Sequence, residues 1–142
     1  REGEIKLAER GVVESRRKTE AGEVVLVVED DPRVRRVSVR RLKELGYSVI
    51  EADSGPSALE VLDRQDRIDL LFTDIVMSGG MTGIDLAREV RRRWSALKIL
   101  LTSGYAEPGI VQSELSTTDA GWLAKPYTMD ELRRKLRDLL ER

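Results

Sequence analysis

The chain has 142 residues, of which 40% are hydrophobic, which is enough for one domain with a buried core but not for two. Its 25 basic and 26 acidic residues nearly cancel, and a net charge of −1 favours neither nucleic acid nor a membrane surface as a partner. It has no cysteine and no histidine, which excludes disulfides, thiol catalysis, histidine-ligated metals and Ser-His or Cys-His nucleophile pairs. No apolar run approaches a membrane span and no secretory signal is present, so we expect a cytoplasmic location.

Residues 1–22 are mixed and charged, and we interpret them as a linker or N-terminal extension, with one domain over residues 23–142. Val24 to Val28 is wholly apolar and runs directly into acids, as expected of a central strand. Asp31 before Pro32 is typical of a helix N-cap followed by proline at the first helical position. This strand–helix unit is then repeated along the chain.

The later segments alternate between strand and helix patterns. In chain order they predict an edge strand at 47–51, a helix at 54–63, a strand within 68–77, a helix at about 84–94, a strand at 98–102, a short helix at 108–116, a strand at 120–124 and a final helix. A capping box of Thr128 and Glu131 opens that helix. Five such units predict a doubly wound α/β fold, with a five-stranded parallel sheet in the flavodoxin-like order 2-1-3-4-5.

In that order Glu29, Asp30 and Asp74 would converge at the carboxyl ends of strands 1 and 3, with Ser103 and Lys125 arriving from strands 4 and 5. Each like-charge pair about 4 Å apart costs about 4 kcal/mol at a surface-like dielectric, so a positive group is expected there. Protonation of one acid is one answer, and Mg²⁺ with oxygen ligands is another. Asp74 is the best candidate for a carboxylate nucleophile in phosphoryl transfer, with the lysine and the hydroxyl stabilising the transferred group.

Each of these residues also has a purely structural interpretation. Asp74 alone could be a helix cap, Lys125 a surface lysine, Ser103 a loop cap, and Trp122, like Trp94, a core filler. Four such coincidences at strand ends 1, 3, 4 and 5 would be needed together, which favours the functional interpretation.

Five segments in this order resemble the receiver domains of two-component response regulators, over about residues 23–142. The segments are Val27–Pro32, Leu71–Met77, Met81–Leu86, Leu101–Tyr105 and Ala124–Tyr127. The resemblance implies that Asp74 is the phosphoacceptor and that Mg²⁺ is held by Asp30, Asp74 and the Val76 carbonyl, with Glu29 acting through a bound water.

It further implies that Lys125 is the family's site lysine, Ser103 the switch hydroxyl and Trp122 the switch aromatic. Ser103 is chosen over Thr102 by alignment to the Gly-Tyr pair that follows. The phosphoryl donor would be a phosphohistidine on a histidine kinase or a histidine phosphotransfer domain. The domain would not be an enzyme beyond slow phosphorylation and dephosphorylation of itself.

The chain departs from the family at two positions. Ser78 stands where receivers usually have proline, so the loop after Asp74 is expected to be looser, and Trp122 replaces a tyrosine or phenylalanine. Residues 78–83 resemble receivers attached to hybrid sensor kinases, and the final strand and helix are a candidate surface for a homodimer. Val76 and Tyr105 are expected to flank the route of attacking water and to prolong the phosphorylated state.

Three alternatives have different functions. One is a receiver-like interaction module that never carries phosphate. A second is a phosphatase or nucleotide hydrolase, but the chain has no Gly-x-x-x-x-Gly-Lys-Ser/Thr loop and no second acid two residues after Asp74. A third is a flavin-binding protein, which the acidic first loop disfavours because it would repel the cofactor phosphate.

Overall fold

The structure is a computed structural model that describes residues 22–104 and 118–142. Its strands are β1 Val24–Val28, β2 Ser48–Ala52, β3 Leu70–Asp74, β4 Lys98–Ser103 and β5 Gly121–Ala124. Its helices are α1 Pro32–Glu44, α2 Gly55–Arg64, α3 Gly83–Arg93 and α4 Met129–Leu140. The helix predicted at 108–116 and the linker predicted at 1–22, apart from Gly22, lie outside the described residues.

The five strands form one sheet in the order β2-β1-β3-β4-β5, and every pairing is parallel. The predicted fold class and strand order are therefore confirmed. The register pairs Val28 with Thr73, Asp74 with Thr102, and Ser103 with Ala124, so four strands end at nearly the same level. The residues that follow these strands therefore share one edge of the sheet.

Both faces of the sheet are covered, which explains why its central strands are apolar throughout. Alternate residues point to opposite faces, so Leu26 and Leu71 join the core under α2 and α3, while Val25 and Phe72 join the core under α1 and α4. The sheet is thereby fixed on both sides, and its carboxyl edge is a rigid support for side chains.

Two of the helices that cover the sheet bury one face each. In α4, Leu132, Leu136 and Leu139 are buried, and α1 buries Val39 and Leu42. No helix in the described part of the chain is long and apolar enough to cross a membrane.

Two predicted helix starts are confirmed in atomic detail. The Asp31 side chain accepts a hydrogen bond from the Arg33 amide at 2.9 Å, with Pro32 at the first helical position. Thr128 and Glu131 form the reciprocal capping box that opens α4. The second of these caps follows the β5 end directly, so it fixes the chain just beyond Lys125.

Candidate functional site

An ion pair joins the ends of β3 and β5. The Lys125 ammonium donates a hydrogen bond to Asp74 Oδ2 at 3.0 Å, and the two side chains are 30% and 13% exposed. Asp74 is the last residue of β3, and Lys125 follows β5 directly. Sequence reasoning predicted this meeting of an acid and a lysine 51 positions apart.

Asp30 is bound from the opposite loop, between β3 and α3. Its Oδ2 accepts hydrogen bonds from both the amide and the hydroxyl of Ser78, at 2.9 and 2.7 Å. These bonds, the amide first, lower the Asp30 pKa to about 2. Serine, unlike proline, supplies two donors that tie the start of this loop to Asp30, and the predicted looseness of the loop stays a prediction.

Glu29 is the buried acid of the group, with only 6% of its surface exposed. Its Oε2 accepts a hydrogen bond from the Asp31 amide at 3.0 Å. Its pKa is raised to about 7, chiefly by burial, with hydrogen bonding to the side chains of Asp30 and Asp74 acting in the same direction and the Asp31 amide opposing it. The raised pKa favours the protonated form of Glu29 beside the other two acids.

Each acid has a different partner in this arrangement. Among residues 22–104 and 118–142, no group of three acidic side chains is already arranged as a metal cluster. Even so, Asp30, Asp74 and the main chain at Val76 offer only oxygen donors, the kind that a hard cation such as Mg²⁺ prefers. The Glu29 side chain is hydrogen-bonded to both Asp30 and Asp74, so the three acids lie together where such a cation would bind. The residues present fit a divalent cation.

Val76 lies at the site, as predicted. Its amide is 3.4 Å from Asp74 Oδ1, and its side chain is 67% exposed, which makes it the one large hydrophobic residue exposed in the described part of the chain. The main chain of Val76 is thus adjacent to the Asp74 carboxylate, and its side chain faces solvent.

The two hydroxyls at the end of β4 differ in their surroundings. Thr102 donates to the Leu123 carbonyl at 2.7 Å, so its hydroxyl is used within the sheet. Ser103 is buried at the last position of β4, and its carbonyl accepts the Lys125 amide at 3.0 Å. The hydrogen bond of Thr102 favours Ser103 as the hydroxyl associated with the site.

Trp122 is half-buried in β5 and packs against the core under α2 and α3. Its indole Nε1 is buried and has no hydrogen-bond partner among the described residues. This position fits the core-filling interpretation of Trp122. A movement of its ring stays a prediction.

Gly83, the first residue of α3, is a positioning residue to which sequence reasoning gave no role. A Cβ on Gly83 would lie 2.0 Å from the Asp74 carbonyl oxygen, and its amide donates to the Ile75 carbonyl at 2.8 Å. Only glycine allows the helix to approach Asp74 this closely. Gly83 lies in the Met81–Leu86 segment that resembles the family, but the sequence does not show its contact with the backbone of β3.

A rigid parallel sheet thus gathers carboxylates and a lysine at its switch point, and this defines a doubly wound α/β domain with an acidic aspartate–lysine site. The sequence model described as "Response regulator receiver domain" matches residues 25–137. The chain therefore belongs to the response regulator receiver domain family, a family of two-component signal transduction. The resemblance found from the five segments is confirmed.

Curated relatives agree with this assignment. The chain is 36% identical to the response regulator receiver protein CpdR of Brucella abortus over 116 residues, covering 82% of this chain and 95% of CpdR. It is 35% identical to the chemotaxis protein CheY of Pseudomonas aeruginosa over 121 residues, covering 83% and 96%. It is also 36% identical to the sensor kinase CckA of Brucella abortus over 119 residues, and there it covers 83% of this chain but only 12% of CckA.

Solved structures have the same fold. The chemotaxis protein CheY4 of Vibrio cholerae has a TM-score of 0.75 at 30% identity, with 83% of this chain and 98% of that chain covered. The response regulator TrrA of Thermotoga maritima, solved in complex with Mg²⁺–BeF, has a TM-score of 0.74 at 30% identity, covering 83% and 99%.

Proposed function

We propose that this chain is the phosphoacceptor of a two-component phosphorelay, in which Asp74 takes a phosphoryl group from a phosphohistidine in a Mg²⁺-dependent reaction. The observation that carries the proposal is the Lys125 ammonium 3.0 Å from Asp74 Oδ2, beside Glu29 and Asp30. A lysine bound to the nucleophilic carboxylate stands where charge develops on a transferred phosphoryl group.

In the reaction an Asp74 carboxylate oxygen forms a bond to phosphorus while the bond from phosphorus to the donor imidazole nitrogen breaks. The electron pair of that bond stays on the imidazole, and the product is an aspartyl phosphate. Lys125 holds and orients the carboxylate before transfer and pairs with the phosphoryl oxygens after it. The proposed role of the Ser103 hydroxyl is to donate a hydrogen bond to the same oxygens.

A bound Mg²⁺ would neutralise charge between the acids and the phosphoryl oxygens. Asp30, Asp74 and the Val76 carbonyl would hold it, with Glu29 acting through a water. Two observations support this assignment: the oxygen-only donor set and the hydrogen bonding that brings Glu29 together with Asp30 and Asp74. The Mg²⁺–BeF complex of the 30% identical TrrA is a third.

The proposed response to phosphorylation is a shift of Ser103 toward the phosphate, with Trp122 and α4 following. Ser103 and Lys125 are joined through the main chain at 3.0 Å, so a pull on either one acts on the end of β5. A partner would recognise the changed face.

The proposed donor is a histidine kinase or a histidine phosphotransfer domain in the cytoplasm. The 36% identity to part of the sensor kinase CckA supports a kinase context, including attachment to a hybrid kinase. The domain itself is proposed to act as an acceptor and not as an enzyme on other substrates, and β5 with α4 is the proposed surface for any homodimer.

The test is incubation with acetyl phosphate and Mg²⁺, followed by intact-protein mass spectrometry. We expect the mass of one phosphoryl group, lost on hydroxylamine treatment as an acyl phosphate should be, and absent in Asp74→Asn and in EDTA. Asp66→Asn, an exposed carboxylate beyond the opposite edge of the sheet, is the matched control and should be labelled like the parent. An unlabelled parent would favour the interaction module that never carries phosphate.

A further inference from the structure

Ser78 makes the least expected contact in the site. Its amide and its hydroxyl both bind one oxygen of Asp30, at 2.9 and 2.7 Å, across 48 positions of sequence. The residue itself is exposed in the loop before Gly79 and Gly80, both of which have positive φ. Because Ser78 is exposed, its contact with Asp30 does not contribute to the packing of the hydrophobic core.

The two bonds restrict the carboxylate in a particular way. Both donors bind Oδ2, so the torsion of the Asp30 side chain is fixed, and Oδ1 is outside the contact. Hydrogen bonds to a charged acceptor are among the stronger ones in proteins. Groups that hold a metal-binding carboxylate from behind orient it for the metal, and their loss typically costs 10–100-fold in metal affinity.

We propose that Ser78 is a positioning residue that presents Asp30 to a divalent cation, so that the Ser78 hydroxyl helps to set the cation affinity of the site. The inference rests on the proposed function, because it concerns the cation of that same site. The amide alone does not fix the carboxylate as firmly, since a single bond allows rotation about it. Proline at this position would supply neither donor.

The same hydroxyl has a second conceivable effect of opposite sign. If a cation needed Oδ2, the hydroxyl would compete with it, and removal of the hydroxyl would strengthen binding. The proposal commits to the first effect, because two donors on Oδ2 leave Oδ1 outside their contact.

The experiment measures Mn²⁺ binding from the electron paramagnetic resonance signal of the free ion, with Mg²⁺ as competitor. Ser78→Ala should bind both ions about 10-fold more weakly than the parent. Ser78→Thr keeps both donors and should restore the parent affinity. Ser95→Ala, an exposed serine beyond the opposite edge of the sheet, is the matched control and should bind like the parent.

Urea unfolding in EDTA should give nearly the same midpoint for Ser78→Ala and the parent, which separates positioning from a loss of fold. If the parent binds the ions and Ser78→Ala binds them equally or more tightly, the inference is overturned while the proposed function stands. If the parent binds neither ion, the proposed function fails and the inference fails with it.

Discussion

Replacing Gly83 by alanine should push the start of α3 away from Asp74, the residue that it packs against. The new Cβ would lie 2.0 Å from the Asp74 carbonyl oxygen and 2.8 Å from Ile75 Cα, where ordinary contacts begin at 3.4 Å. The shortfall at the oxygen is 3.4 − 2.0 = 1.4 Å. Since both contact atoms are backbone, a rotamer change cannot relieve the clash, and the start of α3 has to move.

The magnitude follows from three contributions. Overpacking against backbone costs about 1–3 kcal/mol, and loss of the 2.8 Å bond from the Gly83 amide to the Ile75 carbonyl costs about 1 kcal/mol. Restriction of the unfolded chain by alanine returns up to about 1 kcal/mol. We expect Gly83→Ala to lower the free energy of unfolding by about 1–4 kcal/mol. A displacement near 1 Å at Asp74 should also slow phosphorylation by about 100-fold.

Urea unfolding in EDTA measures the first effect, and the initial rate of labelling by acetyl phosphate measures the second. Gly104→Ala is the matched control, because among the described residues a Cβ there meets the Lys125 side chain at 3.8 Å, an ordinary contact. It should stay within about 0.5 kcal/mol of the parent. A Gly83→Ala variant as stable and as rapidly labelled as the parent would refute the idea that close packing of α3 positions Asp74.

Three further predictions concern the site itself. Lys125→Met should slow labelling of Asp74 by about 100-fold, because the ammonium bound to that carboxylate is lost. The control Lys98→Met, at the start of β4, should be labelled at the parent rate. A Lys125→Met variant labelled as fast as the parent would contradict the role of Lys125. In EDTA the free energy of unfolding should fall by about 1–3 kcal/mol as pH rises from about 4.5 to 7. The reason is that the pKa of Glu29 is higher in the fold than in the unfolded chain, so the folded state keeps a proton that the unfolded state releases. A Glu29→Gln variant with the same fall would exclude Glu29 as the cause. Val76→Ala should shorten the lifetime of phosphorylated Asp74 by opening the approach of water, and a half-life of only seconds for the parent would contradict a protective role for Val76.

The sheet could be predicted because its signals are local. Val24 to Val28 and Leu70 to Asp74 are apolar runs that end in acids, and the strand–helix alternation leaves few orders for five parallel strands. Once the strand order is known, Asp74 and Lys125 are expected at the same edge of the sheet. Their residue types indicated a site there, and the structure gives the distance between them.

The contacts that sequence reasoning missed depend on distances between separate loops. The bonds from Ser78 to Asp30 join two loops that are 48 positions apart, and the sequence does not show that these loops meet. Gly83 looked like part of a helix start, whereas its role is the space it leaves for the Asp74 carbonyl. Such effects have no periodicity and no local pattern from which to infer them.

The three acids are balanced in three chemically different ways, and this has a consequence for signalling. Glu29 has a raised pKa that favours its protonated form, Asp30 accepts the hydrogen bonds of Ser78, and Asp74 accepts a hydrogen bond from the Lys125 ammonium. Of these partners, only the lysine belongs to the segment between β5 and α4, and its amide is bonded to Ser103. Added charge on Asp74 therefore acts directly on the part of the chain that leads into α4, whereas added charge on Glu29 acts on it through the hydrogen bonding between Glu29 and Asp74. The phosphorylation proposed for Asp74 is thus well placed to reach that helix.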